Sequence, residues 1–281
     1  MGIQCQPIVV RGVMFGTTPE HKLFAIDAAT GRERWRFDPF ADGRQPTFHP
    51  LRGVNYWEDG DDQRVLYTVG ATLYAINAKT GKPVASFGKG GEVSLHEGLG
   101  DKTTLGYDVT RYGIRSTTPG VVFRDLLILG SSVSEGGDAL PGHIRAFNVR
   151  TGKLAWVFHT IPQPGEYGYN TWAKDSYRKI GGANCWAGLV VDEKRGIAFV
   201  GTGSPARTCS PTACWPSMPA RASGSGTSSL STTTSGIETC PARPTCSPSP
   251  TAVSASMPWP RPRRTASCSS STGKRANHFS R

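Results

Sequence analysis

One eleven-residue pattern occurs three times and constrains the fold more than any other feature. It reads AIDAATGRERW at 25–35, AINAKTGKPVA at 75–85 and AFNVRTGKLAW at 146–156. Each copy runs from an apolar strand end through Asp or Asn, two further residues and Thr-Gly, then a basic residue and a new strand. The side chains of Asp27, Asn77 and Asn148 are suited to accept backbone N–H groups two residues on. Gly31, Gly81 and Gly152 can adopt the positive φ that closes a tight hairpin. Trp35 and Trp156 follow their glycines by four residues, where a large ring can dock on a neighbouring unit.

The copies begin 50 and 71 residues apart, more than the ~40–45 of a simple four-stranded propeller blade, so loops are inserted between them. Between the copies lie short apolar runs such as LYTVGATLYAI, GVVFRDLLILGSS and AGLVVDEKRGIAFVGTG, all bounded by turn residues. The 34 Gly and 21 Pro are too many for a helical bundle. The expectation is an all-β fold, a partial β-propeller of about four blades over residues 3–206, with a β-sandwich of chance-matched hairpins as the alternative. No apolar run approaches the ~18 residues of a membrane-spanning helix. The start, MGIQCQPIVVRG, has neither the basic region nor the apolar stretch of a signal peptide.

Composition changes abruptly after Ala206. From Arg207 onward, 38 of 75 residues are Ser, Thr or Pro, there is no Asp, and periodicity disappears. The chain therefore divides into a body, 1–206, and a low-complexity basic tail, 207–281, which by composition reads as disordered. The overall net charge of +11 belongs largely to that tail, which holds nine Lys or Arg against one acid, Glu238. The body is nearly neutral, so no nucleic-acid partner is expected for it. Cysteine divides similarly, with Cys5 and Cys185 in the body and five in the tail, at spacings that fit no zinc pair.

Five further stretches carry a family resemblance: LRGVNYW (51–57), IRSTTPGVV (114–122), LGSSVSEGG (129–137), FHTIPQPGE (158–166) and GGANCWAGLVVDEKRG (181–196). Together with the repeats they resemble the pyrroloquinoline quinone (PQQ)-dependent dehydrogenases, above all the membrane-bound glucose, quinate and shikimate branch. The resemblance covers almost all of residues 3–206 and implies an eight-bladed propeller of tryptophan-docking repeats. It further implies oxidation of a sugar or polyol alcohol, hydride transfer to PQQ, a membrane quinone as electron acceptor and a periplasmic location in the family.

The residues implied at the site suit the cofactor's chemistry. PQQ is a planar tricarboxylate, so it calls for cations, hydroxyl donors and a flat apolar wall. Arg52 matches the family arginine that pairs with a PQQ carboxylate, for which a planar fork is suited. Ser116, Thr117 and Ser132 match cofactor-lining hydroxyls, and Trp186 matches the indole beneath the ring. Glu135 matches a calcium ligand of the alcohol-oxidising relatives, in which Ca²⁺ holds the quinone and acts as a Lewis acid. His49 is the candidate substrate-side histidine, one residue closer to Arg52 than in the glucose enzymes. Cys185-Trp186 is not the adjacent cysteine pair of methanol-oxidising relatives, so that disulfide is not implied.

The family pattern stops at GTGSPA. Its next elements, another docking repeat and a His-His-Asp-x-Trp-Asp segment bearing the general base, do not follow Ala206. Read one base out of register, however, Pro216 to Thr227 can spell ALDARTGERKWH and Ser225 to Pro241 can spell WHFQFVHHDLWDRDLP, while Ser271 to Arg281 can spell FDRETGEPLFP. All three use the same frame. The expectation is therefore a truncated dehydrogenase with no catalytic base retained, inactive as written, whose tail is an out-of-frame translation. A non-catalytic propeller scaffold is the alternative, and Arg52, Ser116-Thr117 and Trp186 discriminate against it.

Overall fold

The computed structural model describes residues 4–47, 49–134 and 139–203. The boundary at 206 and the tail lie outside the described residues. Strands β1 (Ile8–Val10), β2 (Val13–Thr17), β3 (Leu23–Asp27) and β4 (Glu33–Phe37) form one antiparallel sheet in chain order. A second comprises β5 (Asn55–Asp59), β6 (Asp62–Val69), β7 (Thr72–Asn77) and β8 (Glu92–Ser94). After the one-turn helix α1 (Lys102–Leu105), strands β9 (Ile114–Arg115), β10 (Val121–Phe123), β11 (Leu126–Leu129), β12 (Ser132–Val133), β13 (Ile144–Asn148) and β14 (Leu154–Phe158) follow. Here β10, β11, β13 and β14 form the third sheet, and β9 pairs separately with β12. Beyond the short helix α2 (Ser176–Lys179), β15 (Leu189–Asp192) and β16 (Ile197–Val200) make a two-stranded ribbon. The described body is thus three complete propeller-type sheets and the first half of a fourth.

The three hairpins form as their sequences dictate. Oδ1 of Asp27 accepts the N–H groups of Ala29 and Thr30 at 3.2 and 3.0 Å and the Thr30 hydroxyl at 2.9 Å. Asn77 and Asn148 accept from Thr80 and Thr151 in the same way. Gly31, Gly81 and Gly152 take φ of 73°, 72° and 74°, close to one another because the same turn is made three times. Arg34 and the turn donors hold the Asp27 carboxyl down at about 2.

Side-chain alternation explains how the sheets stack. Along β6 and β7, Val65, Tyr67, Tyr74 and Ile76 face the first sheet and pack with Phe15, Leu23 and Ala25. Their alternates Leu66, Leu73 and Ala75 face the third sheet and pack with Leu127, Leu129 and Phe147. In the third sheet Ile128, Ile144 and Ala146 turn the other way, onto Leu189, Val191, Ala198 and Val200 of the ribbon. The period of two thus gives each middle sheet two buried faces, so its strands read as nearly unbroken apolar runs rather than polar-alternating ones.

Both docking tryptophans pack between neighbouring sheets, and Trp35 adds a hydrogen bond. Trp35 packs on the turn of the second sheet, where its indole N–H donates to the Ala78 carbonyl at 2.9 Å. The corresponding place in the second sheet is Ala85, and the gap is closed by backbone, with the Gly88 N–H donating to the Thr151 carbonyl. Trp156 packs half-buried against the third cluster. Its indole N–H makes no hydrogen bond among the described residues.

Candidate functional site

The loops entering successive sheets meet around Arg52. The Arg52 N–H donates to the Thr117 carbonyl at 3.0 Å, and the Arg52 carbonyl accepts from the Gln6 N–H at 3.1 Å. One residue is thereby stitched to the start of the first sheet and the entry to the third. Asn55 adds a second stitch, donating its amide to the Pro119 carbonyl at 2.6 Å. These bonds fix the base of the Arg52 side chain without using its charge.

The charge is directed elsewhere. Nη1 of Arg52 donates to the Thr117 hydroxyl at 3.2 Å, and that hydroxyl donates to the Trp186 carbonyl at 2.9 Å. The guanidinium carbon lies 5.7 Å from the centroid of the Trp186 ring, within the range of a cation–π attraction. Trp186 is 44% exposed, so a large aromatic ring stands beside a cation with an open side. No carboxylate pairs with Arg52 among the described residues.

Cys185 anchors that tryptophan. Its thiol is buried and donates to the Gly188 carbonyl at 2.9 Å, and burial pushes its pKa up. Gly130 permits the approach, since a Cβ there would stand 2.3 Å from the Cys185 carbonyl oxygen. Nothing in the one-dimensional pattern marked Gly130, because a close approach between distant segments has no local signature.

The other sequence candidates are distributed around this group. Ser116 is 1% exposed, with its hydroxyl 2.9 and 3.2 Å from the carbonyls of Thr118 and Gly130. It therefore supports the loop from behind and makes no contact with Arg52 or Trp186 among these bonds. Ser132 is half-buried in β12, in register with Arg115 of β9. Glu135 lies outside the described residues. Among the described residues no three His, Cys, Asp or Glu side chains cluster as a metal site would require.

His49 is buried, with both ring nitrogens engaged. Nε2 accepts from the Gly70 N–H at 3.0 Å, which leaves the proton on Nδ1 to be donated to the Pro50 carbonyl at 3.1 Å. His21 stacks on it with centroids 4.5 Å apart and reaches the His49 carbonyl at 2.8 Å through Nε2. Burial, followed by the neighbouring His21 and Arg115, holds the His49 pKa below the ordinary imidazole value. In this arrangement His49 is a neutral wall residue.

The sequence profile described as "PQQ: Glucose/ethanol/alcohol dehydrogenase, beta-propeller domain" matches residues 1–209. The chain belongs to the PQQ-dependent dehydrogenase family. It is 33% identical over 227 residues to quinoprotein glucose dehydrogenase A of Acinetobacter calcoaceticus, covering 71% of this chain and 26% of that protein. It is 28% identical over 226 residues to quinate/shikimate dehydrogenase (quinone) of Acinetobacter baylyi, covering 72% of this chain and 27% of that one. Quinohemoprotein alcohol dehydrogenase ADHIIG of Pseudomonas putida superposes with a TM-score of 0.57 at 27% identity, over 73% of this chain and 29% of that chain. The chain thus spans little more than a quarter of the length of these relatives.

The residues present fit the family cofactor. A flat tricarboxylate needs an unpaired cation and an open aromatic face, and Arg52 beside Trp186 offers both, while Thr117 links the two and fixes their spacing.

Proposed function

We propose that this chain carries one wall of the PQQ site of a quinoprotein dehydrogenase acting on a sugar or polyol alcohol. The observation that supports the reading is the Arg52–Thr117–Trp186 group, a cation without a carboxylate partner held against an exposed indole. When bound, PQQ supplies a two-electron acceptor for the hydride leaving the alcohol carbon. Arg52 would hold one of its carboxylates, the Thr117 hydroxyl would keep the guanidinium in place, and Trp186 would cover one face and exclude water from it. Ser116 would keep the loop rigid, Ser132 would offer a hydroxyl from the adjoining strand pair, and Glu135 would contribute to a Ca²⁺ site. A membrane quinone as final acceptor and a periplasmic location complete the reading.

The general base belongs, in this proposal, to the stretch after Ala206 read one base out of register. The chain as written then binds the cofactor on one side and turns nothing over. Titrating the full chain with PQQ while following tryptophan fluorescence, with Trp186→Phe to assign the Trp186 contribution, tests the binding. Saturable quenching in the parent that weakens at least tenfold in Arg52→Lys supports it, and equal quenching in both overturns it. Dye-linked oxidation of a sugar and polyol panel, compared with a chain whose frame is restored and extended through the remaining blades, tests the inactivity. Comparable turnover by both would overturn that part.

A further inference from the structure

Two buried arginines reach across the seam between the second and third sheets in opposite directions. Arg64 of β6 donates from Nη1 to the carbonyls of Val149 and Arg150 at 2.9 and 2.7 Å, while its Nε and Nη2 grip the two carboxylate oxygens of Asp62 at 2.8 and 2.7 Å. Arg145 of β13 repeats the first half of this arrangement, donating from Nη1 to the carbonyls of Leu95 and Glu97, the latter at 3.1 Å. The second half is missing. Nε and Nη2 of Arg145, the edge that in Arg64 takes a carboxylate, have no partner, and Arg145 forms no ion pair among the described residues. Arg145 is 0% exposed, yet burial lowers its pKa only to about 10, so it carries its charge at neutral pH. A fully buried charge calls for a counter-charge, and a buried donor for an acceptor.

The surroundings of Arg145 share this feature. Alternation along the strand sets His143 on the same side as Arg145. Gly130 and Gly142 face the opposite way, where added Cβ atoms would meet Cys185 and Asn184, so Ser131 and His143 face the second sheet. Ser131 lies two residues beyond Leu129, the residue in register with Arg145. Ser131 and His143 are both buried, and neither the Ser131 hydroxyl nor either His143 nitrogen has a partner. Burial keeps His143 neutral, and the adjoining His159 already has its own carboxylate, Glu166, at 2.7 Å. The uncompensated charge of this row is therefore that of Arg145.

We propose that Arg145 and the Ser131 hydroxyl hold a small planar oxyanion of the carboxylate type in the seam between the second and third sheets. The Nε–Nη2 edge takes its two oxygens side-on, as Arg64 takes those of Asp62, and Ser131 donates to one of them. The ligand is small because both residues that hold it are fully buried. Its role is structural: it neutralises the buried guanidinium and locks β13 to the loop that follows β8. The site goes beyond the proposed dehydrogenase function and does not rest on it.

Formate is the probe, with the bulky sulfonate Hepes as its ionic-strength match. The Tm of the full chain is followed against sodium formate at constant ionic strength, and the line width of ¹³C-formate reports binding directly. The expected result is a saturable rise in Tm of at least ~3 °C together with formate broadening. Both should be lost in Arg145→Met, which puts an apolar side chain in place of the buried charge, and formate affinity should fall at least threefold in Ser131→Ala. Arg32→Met, at an exposed arginine, should change neither. Absence of broadening in the parent overturns the proposal, as does a Tm that rises equally in the parent and Arg145→Met. Should Arg145→Met fail to fold by circular dichroism, Ser131→Ala decides, and an affinity equal to the parent's overturns the proposal. Displacement of formate by PQQ would make Arg145 part of the cofactor site and overturn it too. Formate binding as expected without any quenching by PQQ would support this site and overturn the dehydrogenase reading alone.

Discussion

The Trp35 ring lies so close to Gly81 that a side chain on the glycine would place its Cβ 2.7 Å from indole Cδ2. Gly81 thus serves two purposes at one position: its φ of 72° closes the hairpin of the second sheet, and its bare Cα is the surface on which the first sheet docks.

Trp35→Ala is expected to cost about 2–4 kcal/mol, somewhat below the cost of a fully buried tryptophan, because the ring is only half-buried. Gly81→Ala should be comparably harmful, through both backbone strain and overlap with the ring. Because the two share one contact, the double variant should fall short of the sum. Chemical denaturation of the four chains measures this, and strict additivity would argue that the docking contact is not formed.

Thr117→Val keeps the shape of the side chain and removes the hydroxyl that joins Arg52 to the Trp186 carbonyl. Loss of a charge-assisted bond and of its onward link should cost about 1–3 kcal/mol. Trp186 should become more accessible to acrylamide quenching, with the far-ultraviolet circular dichroism unchanged. An unaltered quenching constant would show that Trp186 is positioned by Cys185 alone.

Gly130→Ala sets a methyl group against the Cys185 carbonyl at 2.3 Å, a backbone contact that cannot rotate away. About 1–3 kcal/mol of destabilisation is expected from the overlap, together with a shifted Trp186 emission maximum. Gly113→Ala, where nothing lies within 4 Å of the added carbon, is the control.

Acid should weaken the fold through two buried histidines. Burial, then His159 and Arg145, holds His143 well below the ordinary imidazole pKa, and burial lowers His49. Both stay neutral when folded, whereas the unfolded chain protonates them near ~6.5. The unfolded state therefore binds more protons below that pH. Stability is full above it and falls as the pH drops through 6.5, by up to ~1.4 kcal/mol per pH unit for each group until its folded pKa is reached. His143→Phe should remove part of this slope between pH 7.5 and 5.5, at little cost at neutral pH, since neither His143 nitrogen has a partner to lose. A Tm that is flat over this range in the parent would refute the assignment.

The elements a local pattern can encode were legible in advance. The three Asp/Asn-x-x-Thr-Gly hairpins and the strands flanking them follow from side chains acting within a few residues of themselves. The docking of Trp35, 43 residues from its acceptor, was legible only because the repeat places a ring at a fixed offset from its turn. Arg52, Thr117 and Trp186 were named from their motifs, yet their hydrogen-bonded sequence and the inward turn of Ser116 were not. Those depend on which loops a propeller brings side by side, 65 and 69 residues apart in the chain.

The two-stranded ribbon β15–β16 bears on how the site behaves in time. Among the described residues the first three sheets have four strands each, whereas this ribbon has two, packs one face on the third sheet and leaves Val190 and Phe199 exposed on the other. Trp186 enters directly into it, three residues before β15. Trp186 is consequently mounted next to the least braced of the described sheets, while Arg52 is mounted on the seam between three four-stranded ones. Amide exchange should be fastest on the tryptophan side and slowest at Arg52, so that a ligand closing on both would lock the ribbon as a clasp locks against a fixed plate.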